Sequence, residues 1–329
     1  MNHRIATYAR RWSERQSEGG IREKYEPVIR AVRGEAPSIS RCMTLQAPTL
    51  GRRVHALSGA EISAMLFALY HPALIDIQEQ RGLPLDTAAN PIGAYRTLRP
   101  TEPQNQTGTI FIAEDLGDVS KHPMFLAEIP DPVSGSVRRT WSALPLTGDL
   151  LLILRSDVDD IYAVNWTIKN NAEAFTHQLA RDRSSVSPAS EAKARLRHEL
   201  EARSYASVGI RTIRVTSASF DRTLIRNFGM LHTFACRKIG VSPRVRHKVI
   251  DGLRCVVGTK TAPLSVFPAF EKEYGISAAT CRDVLFEAIW HRDIPVDLFT
   301  PVQVDKPLRR KEVDELEVYS GYFSPKGAD

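Results

Sequence analysis

Paired cysteines are missing from this chain. Its four cysteines, Cys42, Cys236, Cys255 and Cys281, are scattered, and its nine histidines include no helical HExxH. Spacing therefore excludes a structural zinc site and a zinc-protease centre, and the thiols are expected to be reduced and buried. Long apolar runs are also absent, and Met1-Asn2-His3-Arg4 starts no signal-peptide apolar region. No membrane partner and a cytoplasmic location are the expectations. No internal repeat is visible. What is present in excess is positive charge: 44 Lys and Arg against 38 Asp and Glu give +6, with a pI near 9.2. That balance favours an anionic partner such as DNA. At 329 residues, 43% hydrophobic and 25% charged, the chain is an ordinary globular sequence long enough for two domains.

Three acid or base positions carry chemistry. Lys169 ends the strand-like run Tyr162-Ala163-Val164-Asn165-Trp166-Thr167-Ile168-Lys169, and Asp149 heads the apolar run before it. Upstream, Glu61 opens an apolar helical stretch that ends at Tyr70. A carboxylate before one strand and a lysine at the end of the next suit phosphodiester hydrolysis. Negative charge grows on the phosphate during attack, so Mg²⁺ must clamp its oxygens and activate water while a cation steadies the charge. Magnesium keeps several waters, so Glu61 and Asp149 suffice as its protein ligands, with Mn²⁺ as a substitute. Alternate strand residues share a face, so Asn165, Thr167 and Lys169 are expected to point toward the metal, and Val164, Trp166 and Ile168 into the core. Taken singly, each carboxylate is more often a surface or turn residue.

A resemblance along much of the chain sharpens this reading. Gly51-Arg52-Arg53-Val54-His55, the helix start from Ser58 to Glu61, Asp76-Ile77-Gln78-Glu79-Gln80, Ile112-Ala113-Glu114-Asp115-Leu116-Gly117 and Lys121-His122-Pro123 follow one another in that order. In this order they resemble TnsA, the endonuclease subunit of heteromeric cut-and-paste transposases. The family pattern places a Glu fifteen residues before the Asp of a DIREQ-like motif; Glu61 and Asp76 keep the interval, with Gln78 in place of Arg. It then has a catalytic Asp that begins a strand and a strand carrying Gln-x-Lys, matched here by Asp149 and by Thr167-Ile168-Lys169. Thr167 stands where Gln is usual, and Asn165 substitutes from the same face or the metal site is weaker. His122, before Pro123, reads as a turn residue.

The resemblance implies hydrolysis of the non-transferred strand at transposon ends, leaving 5′ phosphate and 3′ hydroxyl. The implied partners are double-stranded DNA at transposon ends, a DDE-family transposase that cuts and joins the other strand, and an AAA+ ATPase regulator, all acting on bacterial DNA. Two rivals stand beside it: a catalytically silent DNA-binding and ATPase-docking adaptor, and a standalone restriction or repair nuclease.

The implied fold is α/β, a restriction-endonuclease-like mixed sheet with flanking helices followed by a winged-helix-like helical domain. The expected layout is a basic N-terminal arm at 1–50, a catalytic domain at 51–217, the winged-helix-like domain at 218–305 and a tail at 306–329. Strands are expected at Thr109–Ala113, Met124–Ile129, Leu150–Leu154, Tyr162–Lys169 and Arg211–Val215, with helices at Ser58–Tyr70 and Glu191–Ser204. Residues 81–110 and Ser184–Pro188 read as loop. Arg195, Arg197 and Arg203 read as a solvated helix face. Later helices are expected at Ser219–Arg237, Pro243–Cys255, Leu264–Tyr274 and, after Gly275-Ile276-Ser277, at Ala278–Trp290 with Ser277 as N-cap. Such a helix-turn-helix puts its second helix in the major groove, which makes Arg282 a candidate DNA contact beside Arg52 and Arg53. Arg292–Val304 is expected to form a two-stranded wing. After Arg309-Arg310-Lys311 an acidic and then aromatic segment reads as mobile alone and ordered by a partner.

Overall fold

Residues 3–16, 19–38, 41–130, 136–175 and 188–326 are described by the computed structural model. The loop expected at Ser184–Pro188 lies outside them up to Ser187. The chain divides into two compact units, one of residues 1–62, 73–217 and 323–329, the other of residues 63–72 and 218–322.

The first unit opens with helix α1 (His3–Gln16), the hairpin β1 (Met43–Ala47) and β2 (Arg52–Ala56), and the start of α2 (Gly59–Tyr70). Strand β3 (Leu74–Glu79), the short pair β4 (Ala88–Ala89) and β5 (Asn105–Gln106), and α3 (Thr109–Asp115) follow. Next come the ribbon β6 (Met124–Pro130) and β7 (Val137–Ala143), then β8 (Leu150–Arg155), β9 (Ile161–Lys169), α4 (Pro188–Ala206) and β10 (Arg211–Thr216). A four-stranded sheet is ordered β10-β9-β8-β3, with β10 parallel to β9 and the other pairs antiparallel. A parallel pair needs a crossover, and α4 supplies it.

Period-two alternation decides what meets α4. Leu151 and Ile153 of β8 and Ala163 of β9 pack in one buried cluster with Leu196, Leu200 and Tyr205 of α4. Since Leu151 pairs with Asn165, the polar residues Asn165, Thr167 and Lys169 continue that same face toward the end of β9. The helix therefore covers an apolar half-face and a polar half-face. On the reverse, Trp166 and Val164 are fully buried, and the Trp166 ring lies 5.1 Å from Phe323. The N-terminal helix is docked as well: Tyr8 Oη donates to the Pro145 carbonyl at 2.9 Å, and Arg15 forms a two-pronged ion pair with Glu35 at 2.8 and 2.9 Å.

One expected strand is a helix. Thr109–Ala113 reads as β-branched and apolar, but Thr109, Ile112 and Ala113 are the buried residues of α3, a helical i, i+3, i+4 set. An apolar run this short has no periodicity to separate the two forms.

The second unit contains the rest of α2 from Ser63, then α5 (Arg222–Ala235), α6 (Pro243–Val256), α7 (Phe267–Tyr274), α8 (Ala278–Trp290) and α9 (Glu315–Val318). Asp221 caps α5 by accepting from Thr223 and Leu224. Gly275 closes α7 at φ 68°, a left-handed conformation that favours glycine, and Ser277 then caps α8 by accepting from the Thr280 N–H. An Arg246–Glu287 pair at 2.9 Å joins α6 to α8. An aromatic core links Phe67 to Phe228 at 5.4 Å and Tyr70 to Trp290 at 5.4 Å.

Residues 292–304 form turns and a lone bridge between Val296 and Arg310 instead of a two-stranded wing. Pro295 and Pro301 remove backbone donors that a ribbon needs. Residues 314–322 of the expected tail are packed within the second unit. Asp314 caps α9 and pairs with Arg292, while Tyr319 meets Phe67 at 5.3 Å and Phe220 at 5.4 Å. All four thiols are free, but only Cys281 is buried; Cys42 and Cys255 are exposed. Among the described residues no helix is long and apolar enough to cross a membrane.

Candidate functional site

Five residues singled out in the sequence, Glu61, Asp149, Asn165, Thr167 and Lys169, gather at the polar end of the β9 face within the first unit. Asp149 lies just before β8. Its Oδ2 accepts the Ile168 backbone N–H at 2.6 Å and a Lys169 Nζ proton at 3.0 Å. The two side chains keep 14% and 26% of their exposure, so the pair is partly open to solvent.

Glu61 arrives from the start of α2. Ser58 and Glu61 together tie down the helix start: the Glu61 N–H donates to Ser58 Oγ at 3.2 Å and Ser58 Oγ donates to Glu61 Oε1 at 3.0 Å. The other oxygen, Oε2, accepts from the Leu57 N–H at 2.9 Å and from Gln80 Nε2 at 3.3 Å. Burial, and then the negative charge of Asp149, push the Glu61 carboxyl up to about 7. The side chain thus has a structural task and also feels the charge of the centre.

Sequence reasoning missed a third carboxylate. Glu201 of α4 is buried, accepts from Asn165 Nδ2 at 2.8 Å, and is also hydrogen-bonded by Thr167. Burial, followed by repulsion from Asp149, pushes it up to about 7 as well, against the opposing pull of Lys169. Asn165 and Thr167 accordingly do not aim at Asp149; they hold Glu201. Asn165 Oδ1 is buried with no hydrogen-bond partner, while Nδ2 also reaches Thr212 Oγ1 at 3.2 Å. Gly148 makes room for this cluster, since a Cβ there would sit 3.1 Å from Glu201 Oε1 and 3.6 Å from Asn165 Oδ1. The available signal was positional: Ala194, Glu201 and Tyr205 fall on the buried stripe of α4, where a carboxylate is out of place.

Other candidates lie elsewhere. Arg52 is held in a buried ion pair: its side chain keeps only 7% exposure, and its two terminal nitrogens donate to Glu79 at 2.9 Å. Arg53 is exposed. Asp76 of the DIQEQ segment is fully buried, accepting from the Arg22 N–H at 2.7 Å and Tyr95 Oη at 2.5 Å. Arg282 belongs to the second unit, where it pairs with Asp283 at 2.8 Å and stacks over Phe234 at 5.2 Å. His122 is buried in its turn, with Nε2 3.2 Å from Thr109 Oγ1.

Among the described residues no three His, Cys, Asp or Glu side chains close round a common point. The carboxyls that share this field nevertheless suit a cation: Glu61 and Glu201 are both pushed up by burial and then by the charge of Asp149, against hydrogen bonds from Leu57, Ser58, Asn165 and Thr167 and the charge of Lys169. A hard divalent ion satisfied by one or two carboxylates and water would relieve that excess. Compared with models of known protein families the chain matches none, and a search of curated proteins finds no significant similarity.

Proposed function

We propose that this chain is the metal-dependent DNA endonuclease subunit of a TnsA-like transposase, cutting the non-transferred strand at transposon ends. The first unit would then be a restriction-endonuclease-like catalytic domain and the helical second unit a winged-helix-like domain that touches DNA and a regulatory ATPase. The observation that carries the reading is the Asp149–Lys169 contact at the polar end of a mixed sheet, with Glu61 and Glu201 sharing its field.

The chemistry divides among these residues. Asp149 and Glu61 would hold Mg²⁺, which supplies Lewis acidity toward a phosphoryl oxygen and lowers the pKa of a bound water. Lys169, fixed by Asp149, presents its ammonium group where charge grows on the phosphate. The Ile168 N–H orients Asp149 through a charge-assisted hydrogen bond. Glu201, near neutral in its titration, can accept a proton from attacking water at Oε1 or Oε2.

The adaptor reading rests on a different observation: Glu61 is already engaged at the start of α2, and among the described residues no three His, Cys, Asp or Glu side chains are grouped to hold a metal ion. Strand-specific cleavage of a transposon-end duplex, with the DDE transposase and Mg²⁺ present, separates the two. The nuclease reading expects a nick in one strand only, ending in 5′ phosphate and 3′ hydroxyl. Intact strands with retained complex formation would select the adaptor.

A further inference from the structure

A cleft of about 390 Å³ opens beside Thr167, and its lining includes Phe175, Arg195, His198, Glu199, Thr212 and Arg214. Its lining lies wholly within the first unit, on the middle of α4, on β9 and β10, and at Phe175. In the parallel register Arg214 sits beside Thr167 and Thr212 beside Asn165, so these residues share the face that carries the candidate centre. One layer of hydrogen bonds separates the two places: Thr212 accepts from Asn165, and Asn165 donates to Glu201.

The walls are built for an anion. Arg214 is exposed and has no carboxylate partner among the described residues; its guanidinium lies over the Phe175 ring at 5.3 Å. Stacking fixes the plane of the group without using its N–H donors, which leaves them free for a two-pronged grip on phosphate. Phe175 also meets the His198 ring at 5.3 Å, and His198 Nδ1 is buried without a hydrogen-bond partner. Glu199, an acid of the lining, is taken by Arg203 at 2.6 Å, while Arg195 reaches Glu191 at 3.7 Å. Burial first, and then the charges of Lys169 and Arg197, hold the His198 side chain down to about 4; Asp149 opposes them and Arg214 adds to them.

We infer that this cleft receives a backbone phosphate of the DNA strand being cut, next to the one at the Asp149–Lys169 centre, with Arg214 as its main holder. The inference rests on the nuclease reading for its choice of DNA. The volume exceeds what a lone phosphate fills and suits a nucleotide unit, and the short hydrogen-bonded path to Glu201 is the relation expected of neighbouring positions along one strand. Its job would be to fix register, as phosphate contacts do.

The test is binding of the full-length protein to a short fluorescein-labelled duplex in EDTA, across a series of salt concentrations, for wild type, Arg214→Ala and Arg214→Lys. Arg214→Ala is expected to weaken binding several-fold and to reduce the salt slope by roughly one. Arg214→Lys, which keeps the charge, should retain the slope and recover part of the affinity. Thermal melting of both variants is expected to match wild type, because the side chain is exposed. Unchanged affinity and slope in Arg214→Ala, or no duplex binding by wild type, overturns the proposal. So does displacement of the duplex from wild type, but not from Arg214→Ala, by millimolar inorganic phosphate at constant ionic strength, since the cleft would then hold free phosphate. Because metal is absent, the result is independent of cleavage. Arg214-dependent binding without Mg²⁺-dependent nicking keeps the cleft and removes the nuclease; normal nicking with an indifferent Arg214 does the reverse.

Discussion

Lys169 Nζ stands 3.0 Å from Asp149 Oδ2, and that oxygen also takes the Ile168 N–H at 2.6 Å. A single carboxylate oxygen thus ties the end of β9 to the head of β8 and holds the lysine in place. Asp149→Asn keeps the shape and an acceptor but loses the charge; Lys169→Ala loses the cation. Each is expected to lower Mg²⁺-dependent nicking by about 10²–10³-fold, the usual cost of removing transition-state charge stabilisation. Circular dichroism and melting should remain close to wild type. Near-normal nicking by either variant removes that residue from the proposed chemistry.

Glu61 and Glu201, both pushed up to about 7 from 4.5, give the metal-free protein a pH signature. The folded state binds protons more tightly at these groups than the unfolded chain does. Their contribution is therefore fully present below the unfolded value and is lost as pH rises through about 7. Melting temperature in EDTA should fall between pH 5.5 and 8.5. Glu201→Gln should flatten that fall and raise stability at the alkaline end, while reducing nicking. A slope identical to wild type would show that Glu201 does not titrate in this window.

Asn165→Ala removes the Nδ2 donor from a buried carboxylate. The expected destabilisation is roughly 1–3 kcal/mol, the cost of leaving a buried acceptor unsatisfied. It should be larger at pH 8 than at pH 5, where a protonated Glu201 needs the donor less. Urea unfolding at the two pH values measures both quantities. A cost independent of pH would mean that Asn165 contributes packing and nothing to the state of Glu201.

Arg52 and Arg53 are neighbours with opposite fates. Arg52→Ala strands the fully buried Glu79 and is expected to cost about 3–5 kcal/mol. Arg53→Ala should change stability by less than roughly 0.5 kcal/mol, as exposed substitutions usually do. Only the second can alter DNA affinity in the folded protein. Chemical denaturation and fluorescence anisotropy together check the contrast; a stable Arg52→Ala would mean that Glu79 is neutral when alone.

Legibility followed periodicity. The alternation of β9 placed Asn165, Thr167 and Lys169 on one face and Val164 and Trp166 on the other, which is how the strand lies. Capping chemistry placed α8 to the residue, because Ser277 and Gly275 each serve a local backbone need. What stayed hidden depends on distant partners. Glu201 looks like any charged helix residue until Asn165, 36 positions earlier, donates to it. Arg52 looks like a surface cation until Glu79 closes on it. The buried stripe of α4 mixes leucines with Glu201 and His198, so its amphipathic pattern is blurred at the place where the chemistry lies. The expected wing does not form because Pro295 and Pro301 withhold ribbon donors, while the shape of residues 314–322 depends on aromatic packing with distant partners such as Phe67.

Glu61 has one carboxylate and two obligations, to the first turn of α2 and to the charge around Asp149. Whatever neutralises or recruits that carboxylate must also loosen or tighten the beginning of the helix, since Oε2 holds the Leu57 amide. The amide proton of Leu57 is thus a built-in gauge: its exchange with solvent water tracks the ionic state of the centre without any substrate, label or turnover.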